Sequence, residues 1–299
     1  MLTARVVWNH GPLTLNEHLG TDGTVDGTKV KDTIVLDRVV PQEQFRSVAE
    51  AYHLATGGAL GRVHKGMAVW RLQGRILVPD ATQEASLSDR RRAVAAAFDP
   101  TLCLRDAPSD DGAYALDFYE RTLDTTTWPT GWIPLRVYAR PLGMPVLAES
   151  VDDFGALGFF TDLLLPDPRT YAQAWSSLSL TPAAPTGSVV NRGTAPAPLG
   201  VTIDMSAAGA ANFTIARGGV SFALNLSGCV ANDQVIVIME TAGPFGRGRL
   251  VMKNGVEAFS LKTSSASTWL DVPVGSTSFS IANTTGVTSC LLSWKDTWA

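Results

Sequence analysis

Toward its C-terminal end the chain carries a signal that leaves few folds open: Leu250 to Lys253, the pair Asn254-Gly255, then Val256 to Leu261. Two strand-like runs split by Asn-Gly read as a tight hairpin. Both central positions of a two-residue turn need positive φ, which Asn and Gly tolerate. The surrounding sequence points to the same geometry. Val220, Phe222, Leu224 and Leu226 alternate with Ser221, Ala223 and Asn225, the period of a half-buried strand. Gln234 to Glu240 encloses a continuous apolar run that suits a strand buried on both faces. Trp269 to Val272, Phe279 to Ile281 and Val287 to Trp294 supply further strands, with Gly275 and Gly286 between or beside them. Many short strands within one stretch of chain predict a β-sandwich.

A change in charge marks the organisation. Residues 181–299 hold 7 Lys/Arg and 6 Asp/Glu against 17 and 22 in residues 1–180, and 26 of those 119 C-terminal positions are Ser or Thr. Short hydroxyl side chains suit the outer face of a sheet. Ser176 to Gly200, with Pro182, Pro185, Pro196 and Pro198, reads as a linker or exposed extended crossing, because Pro removes ladder donors and disfavours helix. The expected division is an N-terminal domain over 1–180, a linker over 181–198 open to proteases between Thr181 and Leu199, and a C-terminal domain over 199–299.

The first part also alternates. Leu2, Ala4, Val6 and Trp8 share one strand face, Trp70, Leu72, Ile76 and Val78 another, and Tyr114, Leu116 and Phe118 a third, while Trp132 to Ala139 reads as a further strand. Two segments break the rule. Gln42 to Ala55 places Phe45, Val48, Ala49 and Tyr52 at helical spacing after Pro41. Ser88 to Phe98 places Val94, Ala97 and Phe98 on one helical face, with Ser88 or Asp89 as cap and Pro100 as stop. The predicted class is mainly β, with an N-terminal β-sandwich-like domain containing about two helices.

Composition removes several functions. With 45% hydrophobic and 17% charged residues the chain should fold, and a net charge of −4 with a pI near 5.6 argues against gripping nucleic acid through its phosphates. Met1 to His10 lacks the apolar core of a secretion signal, and runs such as Val235 to Met239 are too short to span a bilayer, so no membrane insertion is expected. Cys103, Cys229 and Cys290 form no CxxC pair. They read as buried small apolar residues, with a Cys229 to Cys290 bridge as the alternative.

No catalytic residues, cofactor ligands or metal ligands are expected. The chain has no GxSxG elbow, and its histidines, His10, His18, His53 and His64, lack HExxH spacing. Asp110-Asp111 and Asp152-Asp153 are neighbours, which point to opposite faces of an extended chain and make poor acid and nucleophile couples. Asp153-Phe154-Gly155 matches a kinase triplet without its companion motifs, and Gly57 to Gly66 miss the phosphate-loop pattern. Arg90-Arg91-Arg92 reads as a solvated helix face or a contact with a neighbouring subunit. Trp269, Trp294 and Trp298 read as core, or as a platform for sugar rings, with Trp294 and Trp298 on one strand face.

The order of segments carries a resemblance. Met67 to Asp80, a short amphipathic helix ending in Phe98-Asp99-Pro100 and a strand at Thr101 to Leu104 resemble the N-terminal domain of siphophage distal tail proteins. Asn254-Gly255, Trp269 to Gly275 and Leu291-Leu292-Ser293-Trp294 resemble the galectin-like β-sandwich that closes many of them. The resemblance covers roughly residues 60–145 and 190–299, and the Gln42 to Ala55 segment has no place in it. A galectin sugar site uses a histidine, an arginine and a tryptophan, and residues 181–299 contain no histidine.

The resemblance implies a non-enzymatic virion protein of the phage tail tip, assembled in the host bacterial cytoplasm. It implies a homo-oligomer, a hexameric ring that joins the tail tube protein to tail-tip and baseplate hub proteins and lets genome DNA pass in transit. The alternative is a carbohydrate-binding tail-tip module that contacts a host-surface glycan.

Overall fold

The computed structural model describes residues 8–10, 13–16, 19–20, 24–25, 34–51, 58–77, 84–100, 114–149, 156–239, 244, 249–263 and 268–299. The chain divides into two compact units, Met1–Pro168 and Arg169–Ala299. Both are built of antiparallel sheet.

In the N-terminal unit the elements in chain order are β1 (Trp8–His10), β2 (Leu13–Leu15), β3 (Ile34–Ala51), β4 (Gly58–Leu77), α1 (Glu84–Ala97), β5 (Tyr114–Arg121), β6 (Trp132–Pro141), β7 (Val146–Glu149) and β8 (Ala156–Leu165). They pair in the order β2-β1-β5-β6-β8-β4-β3, with β7 on β8. The period of two survives in the core: Trp70, Leu72 and Ile76 of β4, Leu116 and Phe118 of β5, and Leu135, Val137 and Ala139 of β6 are buried. Trp70 meets Phe118 edge-on, with ring centroids 5.9 Å apart, a geometry the ring quadrupoles favour. Val94, Ala97 and Phe98 are buried as their spacing predicts. The helix begins at Glu84, so Ser88 and Asp89 lie inside it and do not cap it. Glu84 and Ala85 are both good helix formers, which extends the helix upstream.

The helix predicted over Gln42 to Ala55 is not formed: residues 42–51 are strand, paired with β4, and 52–55 lie outside the described residues. The ladder register shifts between Leu36 and Arg38, Glu43 and Phe45, and Ser47 and Ala49. The first shift adds a residue to β3 and the other two each add one to β4, and the long ladder with β4, which pairs the backbone of both strands, outweighs the helical spacing of the apolar residues. Among the described residues α1 is the one α-helix. Leu2, Ala4, Val6, Val78, the strand expected at Thr101 to Leu104 and Cys103 lie outside the described residues.

The C-terminal unit contains β9 (Thr170–Ala172), β10 (Ser176–Leu180), β11 (Thr186–Asn191), β12 (Ala197–Met205), β13 (Phe213–Arg217), β14 (Val220–Leu224), β15 (Gln234–Ile238), β16 (Leu250–Lys253), β17 (Val256–Glu257), a 3-10 turn (Phe259–Leu261), β18 (Asp271–Val272), β19 (Gly275–Ala282), β20 (Val287–Trp294) and β21 (Thr297–Trp298). One sheet runs β10-β20-β12-β15-β16-β17 with β18 on β12, a second runs β11-β19-β13-β14, and β21 pairs with β9. Val201, Ile203, Val237 and Leu292 from the first pack with Phe213, Ile215, Phe222 and Phe279 from the second in one cluster, the core of a β-sandwich.

The stretch read as a linker, 181–198, belongs to this sandwich. β11 pairs with β19 along its whole length, and Ala197 and Pro198 open β12 opposite Val272 and Asp271. Pro182 and Pro185 flank a turn in which the Thr181 and Ala184 backbones bond to each other, and Pro198 stands at a strand start. Proline is tolerated at such places in a sheet, so its frequency here reflects turns and strand ends. The boundary between units falls at Pro168 and Arg169.

The Asn254-Gly255 hairpin forms, with φ of 51° and 80°. Its second strand ends at Glu257, short of the expected Leu261, because the 3-10 turn swings the chain toward β14, where the Asn225 amide donates to the Leu261 carbonyl at 2.7 Å. Asp233 holds this hairpin: its carboxylate accepts from Asn254 Nδ2, Lys253 Nζ and the Val230 amide, each at 2.7 Å. Cys229 and Cys290 are buried free thiols, not a bridge, and burial pushes the Cys290 thiol up to about 12. Trp294 is core, but Trp298 lies on a separate strand, so the two do not share one strand face.

Two outcomes follow from this packing. A Cβ on Gly74 would stand 2.2 Å from the Val35 carbonyl oxygen and 2.6 Å from the Phe159 ring, whereas one on Gly143 meets nothing within 4 Å. Gly74→Ala is therefore expected to lose about 1–3 kcal/mol in urea unfolding, with Gly143→Ala near zero. The hydrogen bonds from Lys253, Val230 and Asn254 lower the Asp233 carboxyl to about 2. A depressed folded pKa stabilises the native state above the unfolded value, roughly 3.9, and that contribution is lost as pH falls through about 2. In unfolding titrations from pH 5 to pH 2, Asp233→Asn should start less stable than wild type and the difference should shrink toward pH 2.

Candidate functional site

Ionisable groups in the N-terminal sheet are used as cross-strand struts. Arg136 donates through Nε and Nη2 to both Asp117 oxygens at 2.6 and 2.7 Å, from directly opposite positions on β6 and β5. Arg71 grips Asp162 in the same way at 2.7 Å on β4 and β8, and Arg75 holds Asp37 at 2.9 and 2.8 Å. The Arg71 hydrogen bonds hold the Asp162 carboxyl below its ordinary range, and the Asp117 carboxylate raises the Arg136 guanidinium. A glycosidase acid needs the opposite shift, a carboxyl raised by its surroundings. These pairs brace strands.

The other sequence candidates are scattered. His10 lies on β1 opposite Leu13 and Leu116, and His64 on β4 opposite Arg46. His18, His53, Asp110-Asp111 and residues 152–155 lie outside the described residues. Arg91 and Arg92 are exposed on α1, where Arg92 reaches Asp89 at 3.6 Å. Among the described residues, no group of three or more His, Cys, Asp or Glu could hold a metal ion, and no helix is long and apolar enough to cross a membrane.

What stands out is backbone. β3 and β4 are 18 and 20 residues long, where strands usually run 3–10. β4 pairs with β8 only from Ala68 to Leu77, so from Gly58 to Met67 its described partner is β3 alone. Among the described residues the far half of this hairpin is a two-stranded ribbon with no further strand on either edge. Two register shifts fall in this half, opposite positions 44 and 48 of β3 with the extra residue on β4, and they add twist.

The root of the ribbon is clamped by Asn16, at the end of β2. Its amide donates to the Ile34 carbonyl at 2.7 Å, and its side-chain Oδ1 accepts from the Leu36 amide at 2.7 Å. Because β2 and β3 are the two ends of the strand order, this contact joins the ends of the sheet. Asn16 has φ of 57°, which Asn tolerates better than most residues. The sequence signal was slight: one Asn after a short apolar strand.

The fold thus defines a class: a mainly β chain of two antiparallel units, the first extended by a long ribbon and the second a sandwich. No family model matches the sequence, and no curated protein matches it either. Solved structures do. The Dit protein (gp 19.1) of phage SPP1, described as a paradigm of the hub adsorption apparatus in phages infecting Gram-positive bacteria, is similar at 10% identity with a TM-score of 0.57. The match covers 89% of this chain and 94% of that one. A chain of the phage P2 baseplate in its activated conformation with Ca matches at 7% identity and a TM-score of 0.42, over 90% and 92% of the two chains. The chain shares the fold of this distal tail protein, in line with the resemblance noted in its sequence, while the galectin-like part of that resemblance is not confirmed.

Asn16→Ala removes the acceptor for the buried Leu36 amide, and an amide left unpaired in a protein interior costs about 1–3 kcal/mol. Urea unfolding should show a loss of that size, with Asn16→Asp, which keeps an acceptor oxygen, losing less. An unchanged midpoint for Asn16→Ala would remove the clamp from the account.

Proposed function

We propose that this chain is a structural component of a phage tail tip: a distal tail protein whose copies form a ring between the tail tube and the baseplate proteins. The observation that carries the reading is the likeness to the SPP1 Dit hub across nearly the whole chain. Its role is mechanical, without catalysis, and it resides in the virion after assembly in the host cytoplasm.

The β3–β4 ribbon supports ring formation. A long hairpin with open edges is marginal in water by itself and gains by pairing with another surface. Identical chains joined head to tail close into a ring when the rotation is right, which covers such edges without sideways growth. Six copies match the ring implied by the sequence resemblance. Residues 1–180 hold 17 Lys/Arg against 22 Asp/Glu, so a channel through these units is not strongly basic and lets DNA slide. DNA carries about one charge per 1.7 Å of axis and a basic wall would hold it.

Light scattering and negative-stain images of the chain, alone or with its tail-tip neighbours, should show sixfold rings with a central hole. Replacing Gln42 to Lys65 by a short turn should leave the circular dichroism and melting of the folded units and abolish the rings. Monomers in assembled tails, or rings that persist without the ribbon, would overturn the reading.

A further inference from the structure

We propose that Arg249, Lys262 and Trp269 form a binding site for an anionic glycan, a sugar or polyol chain bearing phosphate or carboxylate groups. The proposal relies on the tail-tip reading only for the source of that ligand, a host surface. Its basis is the arrangement of charge in the C-terminal sandwich.

Trp269 lies where the two sheets come together. Arg249 immediately precedes β16 of the larger sheet, and Lys262 bridges to Leu224 of β14 in the smaller. Next to Trp269, the Thr268 amide donates to the Ser221 carbonyl of β14 at 2.9 Å. The indole is half-buried and packs on Phe222, with centroids 5.0 Å apart, so the ring is held by the core. The Arg249 guanidinium carbon and Lys262 Nζ each lie 5.6 Å from its centroid.

Two cations are thereby brought within at most twice that distance of one another. Neither side chain makes an ion pair or hydrogen bond among the described residues, although other cations of this unit do: Arg217 is held by Asp271, Lys253 by Asp233 and Arg192 by Asp296. The indole face attracts both cations but carries no net charge, so their mutual repulsion is left for an outside anion to relieve. Arginine offers a planar fork and lysine a mobile point charge, a combination suited to phosphate or carboxylate oxygens. The half-buried Trp269 ring beside the two cations offers an apolar surface to the C–H groups of a sugar, which favours a glycan over an acidic peptide.

The test is isothermal titration of the full chain at low salt with glycerol-phosphate oligomers, galacturonate oligomers, neutral dextran oligomers and hexaglutamate. Binding to at least one of the two anionic glycans is expected, weakened by added salt and at least tenfold by the R249Q/K262Q pair, with no binding to dextran. Thermal melts should show the double variant and both single variants folded; each single substitution, read alone, should weaken binding severalfold. Absence of binding to both anionic glycans, equal affinity for hexaglutamate, or undiminished binding by the double variant would overturn the site. A chain that builds tail rings yet binds no anionic glycan refutes this site and leaves the tail reading intact. Binding by a chain that never enters a tail supports the site and refutes that reading.

Discussion

Everything in the N-terminal unit is arranged around one long antiparallel pairing, that of β3 with β4 from Ile34 to Ala51 and Gly58 to Ile76. Backbone groups withdrawn from water must be paired, and a sheet meets that requirement only where a strand has neighbours on both sides. β4 has them from Ala68 to Leu77, with β3 on one side and β8 on the other. There the side chains can be wholly apolar, and Trp70, Leu72 and Ile76 are buried. The close approach at Gly74, which leaves no room for a Cβ beneath Phe159, belongs to the same tightly packed root. Past Ala68 no third strand joins β3 and β4 among the described residues, and the two-stranded ribbon is the part of the unit on which the proposed ring contact rests.

The C-terminal unit solves the same problem differently. Its strands are short, and its two sheets close over a shared apolar cluster. Polar groups inside it are spent on turns. Asn191, fully buried, donates through Nδ2 to the Ala195 and Val272 carbonyls and accepts at Oδ1 from the Gly193 and Thr297 amides. Gly193 lies so close to the Thr297 backbone that a Cβ would meet its carbonyl oxygen at 1.8 Å. One side chain thus ties the end of β11 to the last strand of the chain. Such a network keeps its uniqueness because every polar atom of Asn191 has a partner.

Charge is used in two ways across the molecule. In the N-terminal sheet, Arg71, Arg75 and Arg136 are each gripped by a carboxylate on a facing strand, which braces the ladder and leaves their charge neutralised. Around Trp269 the cations face an aromatic ring instead, and their charge is still available. The first arrangement braces strands; the second carries the proposed anion site.

Alternation and turn chemistry made much of this legible in sequence. The buried faces of β4, β5 and β6, the Val94-Ala97-Phe98 helix face and the Asn254-Gly255 turn follow from local periods and from backbone angles that particular residues tolerate. These are properties of a short segment, so the segment alone determines them. What the sequence by itself misread was decided by distant partners. Gln42 to Ala51 has helical spacing, yet the β4 ladder takes its backbone, because the partner strand that pairs it is set only when the chain folds. The prolines between 181 and 198 suggested a linker, yet β19 and β18 supply pairing partners 73 (Pro198 with Asp271) to 94 (Thr186 with Ser280) residues away in sequence. The Asn16 clamp and the Arg249, Lys262 and Trp269 cluster likewise join residues that no local pattern connects. Tertiary structure decided these because backbone pairing and charge act through space, and only the folded chain determines which groups come within reach.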